Sequence, residues 1–142
     1  GLAKSSQVSA DGLTWTFKLR TAKFSNGDPI HAQDFVYSWQ RTVTPATKSP
    51  YTNLFSSIVN APAIADGKMA PTELGVKALD DQTLQVNLTT PVAYMKTLMA
   101  YPLFAPQDQK IVEKYGKKYA TKAQYMVYSG PFKFSQLDGD QR

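Results

Sequence analysis

The chain contains no cysteine, one histidine (His31), only three arginines among sixteen cationic residues, and no long apolar run. Each shortage removes a class of function. Without cysteine there is no disulfide, no thiolate zinc site and no cysteine nucleophile. A lone histidine excludes a His-based metal cluster, and no serine, cysteine or paired acid can be assigned to it as a catalytic partner. Calcium needs closely spaced acids around a Gly-centred loop, and DGDQR at Asp138 to Arg142 is too short and too poor in ligands. Neither Gly-rich phosphate signature is present. The apolar stretches fall far short of the roughly 20 residues that a membrane-spanning helix needs. No catalytic residue, metal site or cofactor is therefore expected.

The shortage of arginine also bears on partners. Thirteen lysines with Arg20, Arg41 and Arg142 face eleven acids, a net charge of +5. Phosphate forks and base readout favour the planar guanidinium, whereas a lysine-rich surface is more often simply solvated. With 42% apolar and 19% charged residues over 142 positions, the chain can bury the core of one domain.

What is present alternates between strand and helix patterns. In LTWTFKLR, Leu13 to Arg20, Trp15, Phe17 and Leu19 point one way and Thr14, Thr16, Lys18 and Arg20 the other, as a half-buried strand requires. Asp11-Gly12 supplies a hairpin turn before it, and a short strand over Gln7 to Ser9 is expected to pair across. SNGDP then breaks the chain. A helix starts near His31, with Asp34 as a first-turn acid and with Phe35, Val36, Trp39 and Val43 as its buried stripe; Pro45 ends it. His31 reads as an N-cap or surface residue. Ser49-Pro50 opens a second helical region carrying Leu54, Phe55, Ile58 and Val59, and APAIADGKMAPTE reads as a loop.

GVKALDDQTLQVNLTTP is the clearest hairpin: Val76 and Ala78, a turn at Asp80-Asp81-Gln82, then Leu84, Val86 and Leu88. Pro91 opens a short helix with Tyr94, Leu98 and Met99, and YPLFAPQ is a proline-broken connector. QKIVEKYGKKYATK is a basic amphipathic helix interrupted or capped at Gly116, with Ile111, Val112, Tyr115 and Tyr119 inward and its lysines outward. A Gly-Pro turn and a strand with Phe132 and Phe134 close the chain. The order of hairpin, helices, hairpin, helices and strand predicts an α+β domain with a small, mostly antiparallel sheet and helices packed on it.

The ordered blocks GLAKS…VSADGLTWTFKLRTAKFSNGDPIHAQDFVYSWQR, SPYTNL, ELGVKALDDQTLQVNLTTPVAYM, EKYG and SGPFKF resemble those of oligopeptide-binding proteins of bacterial ABC importers, the extracytoplasmic solute-binding family 5. The resemblance spans essentially the whole chain. It departs at His31, where the family usually carries threonine or another small cap, and at SGPF, which replaces an Asn-Gly-Pro form.

The resemblance implies that residues 1–142 form a single subdomain, the smaller part of the first lobe of a two-lobed periplasmic-binding-protein-like (type II) fold. The opening GLAKSS, with no methionine, basic n-region or apolar h-region, reads as a cut piece of something longer or as a processed product. Also implied are capture of oligopeptides without catalysis, delivery to an ABC permease in the membrane, an extracytoplasmic location with a lipoprotein-anchored parent, and a monomer. Within this segment the resemblance points to Tyr51 of the SPY loop and to Tyr128, Ser129 and Gly130 of the YSGP loop as ligand contacts. The scaffold blocks leave open another cargo, such as a nickel complex, haem or a sugar oligomer. A basic nucleic-acid-binding module built on Lys110 to Lys122 is the reading from another class; retained binding at physiological salt with a steep salt slope would mark it. The favoured reading has no nucleic-acid partner.

Overall fold

The computed structural model describes residues 2–45 and 55–115. Four strands, β1 (Ala3–Val8), β2 (Thr14–Leu19), β3 (Val76–Asp80) and β4 (Thr83–Asn87), form one antiparallel sheet in the order β1-β2-β4-β3. Two hairpins thus lie side by side, with β2 against β4. Their register explains the one-sided core. Trp15 faces Val86 and Phe17 faces Leu84 across β2–β4, while Val76 and Ala78 face the same two residues across β3–β4. Period-2 alternation puts all of these on one face, where Phe17, Leu84 and Val86 are fully buried. The expected α+β class and mostly antiparallel sheet are what the chain forms, although β1 starts earlier than the Gln7 to Ser9 stretch expected.

Helix α1 (Ala32–Val43) lies across β3 and β4. Its sequence AQDFVYSWQRTV is rich in residues of middling helix propensity, each costing up to about 0.7 kcal/mol relative to alanine. Burial decides the outcome. Phe35, Val36, Trp39 and Val43 are all almost completely buried, at roughly 1.5–3 kcal/mol per large apolar side chain. The start is fixed as expected: His31 is the N-cap, its N–H donating to Asp34 Oδ2 at 2.8 Å. The β3–β4 turn adds an acceptor, with the Ala32 N–H bonded to the Asp81 carbonyl.

Two local expectations are corrected. Residues 49–54 of the expected second helical region lie outside the described residues, and after a 3₁₀ residue at Phe55 the chain over 56–60 forms turns with an isolated bridge between Ile58 and Leu88, not a continuing α-helix. Their backbone groups are claimed by the sheet margin: Val59 N–H donates to the Asn87 carbonyl, Gly75 N–H to the Val59 carbonyl, and Thr89 N–H to the Ser57 carbonyl, all at 2.8–2.9 Å. The helix comes just afterwards, as α2 (Ala61–Ala65), inside the stretch expected to be loop. Pro62 fits its first turn, and Ile64 is fully buried. The second correction concerns α3 (Met95–Leu98), which starts four residues after Pro91. Met95 and Met99 anchor it, while Tyr94, its N-cap, is exposed.

A 3₁₀ turn at Pro102–Phe104 leads into α4 (Gln109–Tyr115), where Val112 is buried and Ile111 half-buried. The expected continuation past Gly116, with Tyr119, and the strand carrying Phe132 and Phe134 lie outside the described residues. Among those described, no helix is long and apolar enough to cross a membrane.

Candidate functional site

The four residues that the sequence nominates for ligand contact, Tyr51, Tyr128, Ser129 and Gly130, all lie outside the described residues, so the structure brings none of them together. It does show what frames the segment carrying Tyr51. Upstream, α1 ends at Val43 with Thr44 as its C-cap, and the Thr44 hydroxyl donates to the Gln40 carbonyl at 2.6 Å. Downstream, Phe55 is completely buried. Its ring stacks on Phe104 at 4.3 Å between centroids and meets Trp39 edge-on at 5.9 Å. Trp39 also meets Phe104 edge-on at 5.4 Å and donates its indole N–H to the Phe104 carbonyl at 3.0 Å. Edge-to-face and offset pairs add about 0.5–1.5 kcal/mol beyond area burial. Both ends of that segment therefore rest on α1, one as its continuation and one through this aromatic cluster.

A strap running from Phe104 to Lys110 also holds α1. Ser38 Oγ donates to the Ala105 carbonyl at 2.8 Å, Arg41 Nη1 to Gln107 Oε1 at 2.9 Å, and the Gln107 N–H to the Asp34 carbonyl at 3.3 Å. The SNGDP turn docks on the same strap. Gly27, at φ +94°, closes the tight Phe24–Asp28 turn, where a side chain would be strained. Asn26 Nδ2 donates to Asp28 Oδ2 at 3.1 Å and to Asp108 Oδ2 at 3.4 Å, and Lys110 Nζ pairs with Asp28 Oδ2 at 3.1 Å.

This acid cluster is an electrostatically unusual place that sequence reading missed. Burial and then the bond to Asp28 hold the Asp108 carboxyl above its ordinary range, while Asp108 and Lys110 hold Asp28 below it. A carboxyl pair sharing one proton behaves in this way. Burial also raises Asp34, with the charges of Asp108 and Asp28 adding to it against the His31 N–H bond. Eighty residues separate Asp28 from Asp108, so no spacing rule joins them; only the turn chemistry of SNGDP was visible. The pair is already engaged by Asn26 and Lys110 and ties a loop to a strap. Among the described residues, no group of three or more His, Asp or Glu side chains is placed to hold a metal ion. The described residues form a packed frame of sheet, α1 and strap.

Comparison with known proteins identifies the frame. Residues 1–142 match the profile of the bacterial extracellular solute-binding proteins, family 5 Middle. A dipeptide-binding protein of Lactococcus lactis is 48% identical over 94% of this chain and 24% of its own length. The oligopeptide-binding protein OppA of Listeria monocytogenes, solved with peptide bound, superposes with a TM-score of 0.91 at 44% identity, covering all of this chain and 28% of that one. A probable deoxycholate-binding periplasmic protein of Escherichia coli, YgiS, is 41% identical over 88% of this chain and 24% of its own length. The chain thus spans about a quarter of the length of such relatives, and it belongs to family 5 of the bacterial extracellular solute-binding proteins.

Proposed function

We propose that this chain is the smaller subdomain of the first lobe of a type II binding protein that captures oligopeptides outside the cytoplasm and passes them to an ABC permease. The observation that carries the reading is the match, over 94% and 100% of this chain, to the dipeptide-binding and peptide-bound proteins above. A rigid scaffold with loops at its margin suits capture. An extended peptide held through its backbone, with roomy, wet pockets for its side chains, lets one site accept many sequences. Hinge closure of the second lobe then encloses it. The protein works as a monomer without catalysis and without a nucleic-acid partner, and its parent is anchored as a lipoprotein.

On this reading Tyr51, on the segment framed by α1 and Phe55, and Tyr128, Ser129 and Gly130 form one wall of the site. The tyrosines offer a hydroxyl on an apolar ring, which suits a peptide carbonyl beside an apolar side chain. The relative named for deoxycholate favours a second reading, in which the cargo is an amphipathic anion instead. Calorimetric titration of the full-length protein with a mixed set of short peptides, and separately with deoxycholate, tests both. Saturable heat with peptides supports the first reading; saturation with deoxycholate alone replaces it with the second.

A further inference from the structure

We propose that Asn26-Gly27, at the tip of the SNGDP turn, is a site of spontaneous covalent modification, and that docking of this turn on the strap holds the reaction back. The chemistry belongs to the dipeptide. The Gly27 backbone nitrogen attacks the carbonyl carbon of the Asn26 side chain, the bond to Nδ2 breaks, and ammonia leaves with the proton that the Gly27 nitrogen gives up. The product is a cyclic imide. Water then opens the ring at either of its carbonyls and leaves aspartate or isoaspartate where asparagine stood. Glycine favours ring closure, because no Cβ hinders the nitrogen and the backbone turns freely. Lability of asparagine is general; the structure adds a lock on each reacting group.

Asn26 and Gly27 are both exposed, so water reaches them. The nucleophile is nevertheless engaged, since the Gly27 N–H donates to the Phe24 carbonyl at 2.9 Å. The electrophile is held at both ends. Asn26 Oδ1 accepts from the Asp28 N–H at 3.0 Å, while Nδ2 donates to Asp28 Oδ2 at 3.1 Å and to Asp108 Oδ2 at 3.4 Å. Swinging the side-chain carbonyl onto the Gly27 nitrogen breaks these bonds. Those to Phe24 and Asp28 are local to the turn. The bond to Asp108 is made only while the turn lies on the strap, where Lys110 pairs with Asp28 at 3.1 Å.

The reaction also runs one way. The donor that Asp28 and Asp108 share becomes another carboxyl beside them, with Asp34 and His31 close by at the start of α1 and Lys110 already paired with Asp28. Ionised, it repels its neighbours, and isoaspartate adds a backbone atom to a turn closed by the Phe24–Gly27 bond. A reacted turn cannot redock, so the modification records that the turn has left the strap. The inference does not depend on the cargo.

The experiment is warm incubation of the full-length protein at mildly alkaline pH, with conversion of Asn26 followed by peptide mass spectrometry and the two acid products resolved by chromatography. Conversion should be about tenfold or more slower in the folded protein than in the same chain held unfolded in urea, because hydrogen bonds must first be broken. Asp108→Ala, which removes the acceptor on the strap, should speed conversion in the folded protein several-fold. Asp108→Asn keeps an oxygen there and at the Lys110 N–H, and should stay near the parent rate. Lys110→Ala, at a side chain 72% exposed, leaves the core intact and should also speed conversion. Equal rates folded and unfolded overturn the proposal, as do no conversion in urea, no acceleration by Asp108→Ala or Lys110→Ala, or equal acceleration by Asp108→Asn. As an independent readout, Asn26→Asp should lower the thermal midpoint more at neutral pH than in mild acid, where carboxyls take up protons. A midpoint that is unchanged, or lowered equally at both, overturns the one-way reading and the proposal with it.

Discussion

Replacing Trp39 with alanine should be the most damaging single change in the described core. The indole is completely buried, in edge contact with both Phe55 and Phe104, and its N–H is bonded to the Phe104 carbonyl. Large-to-small replacement of a buried aromatic costs about 3–5 kcal/mol. Part of that is the orphaned Phe104 carbonyl, at roughly 1–3 kcal/mol if it stays dry. Trp39→Phe separates the two contributions, since it keeps a ring and loses the donor, and it should fall near the lower of those ranges. His31→Ala should cost under about 1 kcal/mol, a modest cap effect, because Asp34 accepts from the backbone N–H of His31 whatever its side chain. Urea unfolding of residues 1–142, followed by far-UV circular dichroism, gives the order directly. The reference chain should unfold in one cooperative step, as a single core predicts. A featureless spectrum, or a His31→Ala midpoint below that of Trp39→Ala, would refute the scaffold reading of α1 and its entry turn.

Two further changes probe particular geometry. In Gly75→Ala the new Cβ would stand 2.7 Å from the Val59 Cβ and 3.1 Å from the Asn87 carbonyl oxygen, so the change should destabilise by about 1–3 kcal/mol, as overpacking does; an unchanged urea midpoint would contradict the packing there. For Asp108, whose folded carboxyl is held above its ordinary value of 3.8, the folded state keeps a proton that the unfolded state releases. Its contribution to stability is then greatest in acid and is lost as pH rises through the raised value. Asp108→Asn, which needs no proton beside Asp28, should raise the thermal midpoint at neutral pH and shrink the stability gained on acidifying toward 3.8; a lower midpoint at neutral pH would mean that the pair is not strained by charge.

Much of the frame was legible because local pattern and tertiary burial agree there. Trp15, Phe17 and Leu19 alternate in a sequence that also has a turn before it, and the Phe35–Val43 stripe has both a start and a Pro45 stop. The reading failed where backbone bonding to a distant segment overrode a local pattern. Ile58 and Val59 sit at helical spacing, but Asn87 and Gly75 take the backbone groups of Val59 and Thr89 takes the Ser57 carbonyl, and the helix falls instead on Ala61–Ala65, where alanine and an N-terminal proline permit it. Tyr94 shows the other kind of failure: periodicity placed a large ring on a helix, but it cannot say which side of a four-residue helix the core will take. The Asp28–Asp108 pair was invisible because its members meet only after SNGDP folds onto the strap. Ligand contact was approached only through the resemblance at Tyr51 and the YSGP loop, since a backbone-reading site leaves no nucleophile, metal set or motif of its own.

The central claim is that this chain supplies one wall of a two-sided clamp, so the most direct measurement is a calorimetric comparison of residues 1–142 and the full-length protein against the same short peptides. Affinity in such a clamp comes from enclosure and from groups on both sides. The account predicts saturable binding by the full-length protein, weakened by changes at Tyr51 or Tyr128, and no saturable binding by residues 1–142 tighter than about millimolar, which corresponds to roughly −4 kcal/mol. Micromolar binding by residues 1–142 alone would contradict it, because the site would then lie wholly within this subdomain.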